Sequence, residues 1–145
     1  NNTIYVGTRK EPIYLLRFRG SRADDNHFYN NIFYVDGTVD FDWAGSTNNH
    51  FSNNVWYGNI IDPPFDPNAI TDDPLLVDPN SGGSDLGFDW DLLDGYHLQA
   101  SSPCIGAGTI PDLPVGPYEL KNGGRDFWGN PVPDGTAPAI GAHQR

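Results

Sequence analysis

Asp24, Asp25 and His27 fall within one short stretch, and the Asn-His-Phe setting of His27 recurs around His50, about 23 residues further on. An imidazole with carboxylates beside it can take a proton as a general base or join a metal's ligand shell. Asp24, His27 and His50 are therefore the candidate catalytic set; the competing role for the same residues is to pin turns. Asp40 and Asp42 stand two apart, so an extended backbone puts both on one face, in the manner of a general acid and base pair. Arg17 and Arg19 precede them at the same spacing that separates His27 from His50. Strands stacked at that spacing would set each guanidinium about 4.8 Å from its carboxylate. A cation that close favours the ionised acid, whereas a glycosidase acid needs its pKa raised. Ion pairing, Arg17 with Asp40 and Arg19 with Asp42, is the better reading of these four residues.

The aromatic residues offer binding chemistry. Tyr5, Tyr34 and Tyr57 close three related phrases, Asn2-Thr-Ile-Tyr, Asn31-Ile-Phe-Tyr and Asn54-Val-Trp-Tyr. In strands whose asparagines face inward, these tyrosines face outward and form a column with rungs about 4.8 Å apart. Sugar rings carry apolar C–H faces that can lie on such rings, while phenol hydroxyls bond sugar hydroxyls at the edges. Trp43 and Trp90, each preceded by Phe-Asp, either extend that surface or fill the interior. Tyr5, Tyr34, Tyr57, Trp43 and Trp90 are the candidate substrate-binding residues. The alternative is that the tyrosines stabilise a sheet or lie beneath the segment 62–71.

Asp78, Asn80 and Asp85, with Gly82 between them for a sharp turn, are candidate ligands for a structural calcium ion. The stretch lacks the full calcium-loop pattern and its closing bidentate Glu. Asp-Pro-Asn-Ser-Gly is also an ordinary turn sequence.

These residues are positioned by a repeat. Asn26-His-Phe recurs as Asn49-His-Phe, and the Asn31 phrase recurs at the same spacing as the Asn54 phrase. The step from Asn2 to Asn31 is longer, so a loop over Thr8 to Ile13 is expected to lengthen the first unit. A period in the twenties, built of short apolar strands closed by Asn and Gly, marks a coiled β-solenoid. The expected inward set is Asn31, Phe33 and Val35 with Asn54 and Trp56, and Phe28 with Phe51 as a second layer. Inward asparagines would bond the backbone above and below them. Past Ile61 the repeat gives way to Pro-rich turns, with short strands expected at Leu75–Val77, 95–99, 103–105 and 138–142. The expected organisation is 1–61 as coils and 62–145 as the terminal coil and a cap over the open strand edge.

The 145 residues suit one domain. Net charge is −11 with eight Lys and Arg, which disfavours nucleic acid and weighs mildly against an anionic glycan; a neutral polymer fits better. No apolar run approaches the ~20 residues needed to span a membrane. Cys104 is alone, so the chain holds no internal disulfide.

The phrases Asp73-Pro-Leu-Leu-Val-Asp-Pro, Gly95-Tyr-His-Leu-Gln-Ala-Ser-Ser-Pro-Cys-Ile-Gly-Ala-Gly, Asp126-Phe-Trp-Gly-Asn-Pro and Ala139-Ile-Gly-Ala-His resemble the closing segment of secreted right-handed parallel β-helix proteins of the pectate-lyase-like superfamily. The resemblance implies an all-β fold, the last coils of a right-handed parallel β-helix with an irregular C-terminal cap. It implies an extracellular protein with an extended polysaccharide along the outer face of its coils. Such enzymes carry more coils than this chain, so residues 1–145 are expected to be the C-terminal part of a polysaccharide-degrading protein of glycoside hydrolase or polysaccharide lyase type, with most catalytic residues upstream. Upstream coils or a catalytic domain of the same polypeptide are the expected partners. The alternatives are a non-catalytic carbohydrate-binding module attached to a glycoside hydrolase and a structural solenoid of an adhesin or tailspike.

Overall fold

Asparagine and aspartate set the corners of this chain. Asp25 and Asn48, and likewise Asn30 and Asn53, lie 23 residues apart, and all four hold φ between 57° and 58°. Asn and Asp tolerate this left-handed conformation better than other side-chain-bearing residues. The chain therefore turns at the same points in consecutive repeats, and the strands between the turns stack side by side.

The structure, a computed structural model, describes residues 1–8, 10–19, 23–82, 90–111, 124–132 and 135–145. Among these the fold is all-β, with strands β1 (Thr3–Val6), β2 (Ile13–Arg17), β3 (His27–Tyr29), β4 (Ile32–Asp42), β5 (His50–Ser52) and β6 (Val55–Ile60); one short 3-10 helix, Trp90–Tyr96, is the helical element. Among the described residues no helix is long and apolar enough to cross a membrane. Every pairing between these strands is parallel. β6 runs along one edge of the long β4, while β1 and β2 share the other; β3 and β5 form a separate two-stranded sheet.

The expected register holds where the phrases repeat. Phe33 pairs with Trp56, Tyr34 with Tyr57 and His27 with His50. These partners share the 23-residue spacing of Asn31 and Asn54, and β1 meets β4 at the 29-residue spacing of Asn2 and Asn31. The register fails along β2. Tyr14 pairs with Asp40, and after a bulge at Leu15, Arg17 pairs with Asp42. The expected Arg17–Asp40 and Arg19–Asp42 pairs are therefore wrong. The ion pair that forms is Arg17 Nε to Asp42 Oδ2 at 3.1 Å, and the Asp40 carboxylate accepts the neighbouring Phe41 N–H instead. A residue count carries no sign of where a strand bulges.

Between the sheets the expected interior forms. Phe33, Phe41, Phe51 and Trp56 make one apolar cluster, and Val6, Val35 and Val39 another. Phe28 stacks on Phe51 with centroids 4.7 Å apart, and Phe33 on Trp56 at 4.3 Å. The asparagines make a column beside them. Asn2 Nδ2 donates to Asn31 Oδ1 at 3.0 Å, and Asn31 Nδ2 to Asn54 Oδ1 at 2.8 Å, with each backbone N–H joining the same acceptor.

The last part of the chain departs from a simple end cap. Residues 62–70 do cover the outer edge of β6, where Ile70 bridges Val55. Among the described residues that follow, Leu76, Leu98, Cys104, Ala139 and Ile140 lie over the outward face and pack on Ile32 and Val55. Ile32 and Phe33 are thus both buried although they point to opposite sides. The strands expected within this segment reduce to one antiparallel bridge, Leu76 to Leu98, and to turns around 103–105 and 138–142. Its chain is held by Pro- and Gly-rich turns, which interrupt ladder pairing.

Candidate functional site

The register of β1, β4 and β6 brings Tyr5, Tyr34 and Tyr57 into one row. Ring centroids are 5.8 Å apart between Tyr5 and Tyr34 and 4.8 Å between Tyr34 and Tyr57, with planes tilted by 47° and 55°. Ile32 and Val55, two positions earlier, point the same way and are roofed over by the tail. Tyr34 and Tyr57 pack on the margin of that roofed cluster, and all three tyrosines remain half-buried.

Carboxylates edge this row. In β4 the register shifts between Val35 and Thr38, so Asp36 and Gly37 bulge out of the ladder. Opposite the bulge, Gly58 holds φ +103°, and a Cβ there would run into the Val35 carbonyl. The bulge presents Asp36 Oδ2 to the Tyr5 hydroxyl at 2.7 Å, while Asn80 Oδ1 lies 3.0 Å from the same hydroxyl. Burial, then the Asp36 hydrogen bond and charge, push the Tyr5 phenol up to about 12. Burial followed by the Asp73 and Asp36 charges raises Tyr34, and the Asp73 charge is the main cause for Tyr57. All three phenols therefore stay protonated at neutral pH and act as donors, beside carboxylates that only accept. The sequence did not mark Asp36 or Asp73 as site residues; the one signal for Asp36 is the Asp36-Gly37 interruption of an otherwise alternating strand.

The other expected residues are spread over the molecule. His27 and His50 stack with centroids 4.7 Å apart and planes within 13°, exposed, with Tyr29 Oη 3.2 Å from His27 Nδ1. Asp24 faces the next repeat, accepting the Thr47 N–H at 2.7 Å and its hydroxyl at 3.1 Å. Among the described residues no hydrogen bond or ion pair joins Asp24 to either imidazole. The turn-pinning role is what its contacts display.

Trp43 does not join the tyrosine row. It stacks between Phe18 and Phe41, with centroids at 5.5 and 5.3 Å, and packs against the interior cluster. Trp90 opens the 3-10 helix, and its side chain lies outside the described residues, as does Asp85 of the expected calcium set. Of the other two calcium candidates, Asp78 is exposed and Asn80 is engaged by Tyr5. Among the described residues no three His, Cys, Asp or Glu side chains gather as a metal site.

Asp66 is a further residue that the sequence did not mark. Its Oδ2 accepts the backbone N–H and the side-chain amide of Asn54 at 3.0 and 2.8 Å, and its Oδ1 accepts Asn53 N–H at 3.1 Å. No protein-family model matches the chain, and no curated protein matches it.

Proposed function

We propose that this chain is the closing part of a right-handed parallel β-helix that holds an extended neutral polysaccharide along its outer face, within a secreted, extracellular polysaccharide-degrading protein. The repeated parallel stacking and the asparagine column support the helical reading. The observation that carries the binding reading is the Tyr5–Tyr34–Tyr57 row with Asp36, Asp73 and Asn80 at its edge. Aromatic faces suit the C–H faces of sugar rings, and acceptor oxygens suit their hydroxyls. Phosphate or uronate groups would meet carboxylates there, which favours a neutral chain.

A non-catalytic binding role is the second reading. It is favoured by the engagement of Asp24 with Thr47 and of Asp42 with Arg17, which leaves those acids in structural contacts.

Affinity electrophoresis through gels containing xylan, β-glucan, mannan, arabinan or pectin tests the proposal. Retardation by a neutral polymer is expected, and it should be lost in the Tyr34→Ala, Tyr57→Ala variant whose folding is verified by its melting transition. No retardation in any gel would overturn the binding reading. Retardation without release of shorter sugars would favour the module.

A further inference from the structure

The aromatic row does not stop at β1. Beside Tyr5 stands Tyr96, with ring centroids 6.5 Å apart. Tyr96 closes the 3-10 helix, and with Phe127 and Trp128 of the tail it walls a cleft of about 310 Å³ that reaches Asn2 and Thr3. This volume sits at the small end of the range for ligand clefts and suits a single ring better than a long chain.

The lining is uncharged. Tyr5, Tyr96, Phe127 and Trp128 supply half of its lining residues, and Asn2 and Thr3 add polar side chains. Thr3 Oγ1 accepts the Ala142 N–H at 3.1 Å, so its own proton is left to donate. Asn2 donates its side-chain amide to Asn31, so its carbonyl oxygen is left to accept. Phe127 is 54% exposed at the mouth, and Trp128 is held behind it by edge-on contacts to His97 and His143. A purely apolar occupant would cover the Thr3 and Asn2 groups without pairing them. A charged one would find no counter-charge. A sugar ring has apolar faces and a hydroxyl rim, and it matches both parts.

We propose that this cleft is a binding subsite for the terminal ring of a neutral glycan whose following rings lie on Tyr5, Tyr34 and Tyr57; the choice of ligand rests on the reading of that row as a glycan surface. The Tyr5 ring, shared by cleft and row, is the joint between them.

The test follows the Trp128 indole N–H resonance while methyl glycosides and trisaccharides of xylose, glucose, mannose and arabinose are added to the whole chain. A trisaccharide of the polymer that retards the protein is expected to shift this resonance. Phe127→Ala, its folding verified by its melting transition, should weaken that binding about tenfold, as the loss of one stacking face implies. Tyr96→Phe, which keeps the ring and the packing, should weaken it less. If a polymer retards the protein but its trisaccharide leaves Trp128 unmoved, or Phe127→Ala binds as tightly as the parent, the subsite is overturned while the row stands. If no polymer retards the protein and no sugar moves Trp128, both fall together.

Discussion

Asp66 closes the asparagine column by accepting two hydrogen bonds from Asn54, one from its backbone and one from its side chain. Asn2, Asn31 and Asn54 each donate to the next member. A carboxylate has no proton to pass on, so the sequence of donors ends there. Asn54 is fully buried. Asp66→Ala removes the acceptor of the Asn53 and Asn54 backbone N–H groups, while the Asn54 side-chain amide keeps the Phe28 carbonyl, and should destabilise the chain by about 2–4 kcal/mol. Asp66→Asn should cost less, because its amide oxygen can still accept both Asn54 hydrogen bonds, and its NH2 group then faces the Asn53 and Asn68 N–H groups. A shift in the urea midpoint equivalent to less than about 0.5 kcal/mol for the alanine variant would show that water replaces the carboxylate.

Acid should loosen the tail through His143. Its Nδ1 accepts the N–H of buried Leu98 at 2.9 Å, and its ring lies 4.2 Å from that of His97. Burial lowers its pKa from 6.5, the His97 and Arg145 charges lower it further, and Asp126 opposes them. The unfolded chain therefore takes up this proton first as pH falls, so the stabilising contribution is complete above about pH 6.5 and is lost as pH falls below it toward the folded-state value. The melting temperature should be level from pH 8 to 7 and decline below 6.5. In His143→Asn, which keeps an acceptor but does not titrate, the decline should be shallower; an unchanged slope would refute the assignment.

The corrected register of β2 separates two acids that the sequence treats alike. Asp42 faces Arg17, at side-chain exposures of 32% and 50%, and so belongs to a screened surface pair worth about 0.2–1 kcal/mol. Asp42→Asn should lower stability slightly in dilute buffer and not at all in about 1 M salt. Asp40→Asn should show no such salt dependence. Equal salt dependence of the two would restore the uncorrected register.

At Gly58, replacement by Ala meets both a left-handed backbone and the Val35 carbonyl. A loss of about 2–4 kcal/mol is expected. Because the same bulge aims Asp36 at Tyr5, the variant should also lower the pH at which Tyr5 ionises, read from its phenolate absorbance. A variant with parental stability and titration would break the link between bulge and row.

The repeat register was legible because the same side chains recur at each rung, as Asn31 and Asn54 or His27 and His50 do. Each pair satisfies the same turn or the same interior layer, so the sequence repeats what the structure repeats. Tyr5, Tyr34 and Tyr57 could be aligned for that reason. Asp66 could not, because it meets Asn54 after only 12 residues, out of step with the repeat. Neither could the placement of the tail on Ile32 and Val55, since Leu76, Leu98 and Ile140 approach from Pro-fixed turns with no periodic pattern to read. Asp36 and the Arg17–Asp42 pair escaped through bulges, which alter the count of residues without altering their types.

The alignment of the asparagine amides has an electrical consequence. Their N–H vectors all run from Asn2 toward Asp66, so their dipoles add along the column as peptide dipoles add along a helix. The positive end of that sum rests against the full negative charge of Asp66. The opposite end, at the Asn2 carbonyl oxygen, is electron-rich, and it meets the uncharged edge of the aromatic cleft as a standing attraction for any group that brings a proton to share.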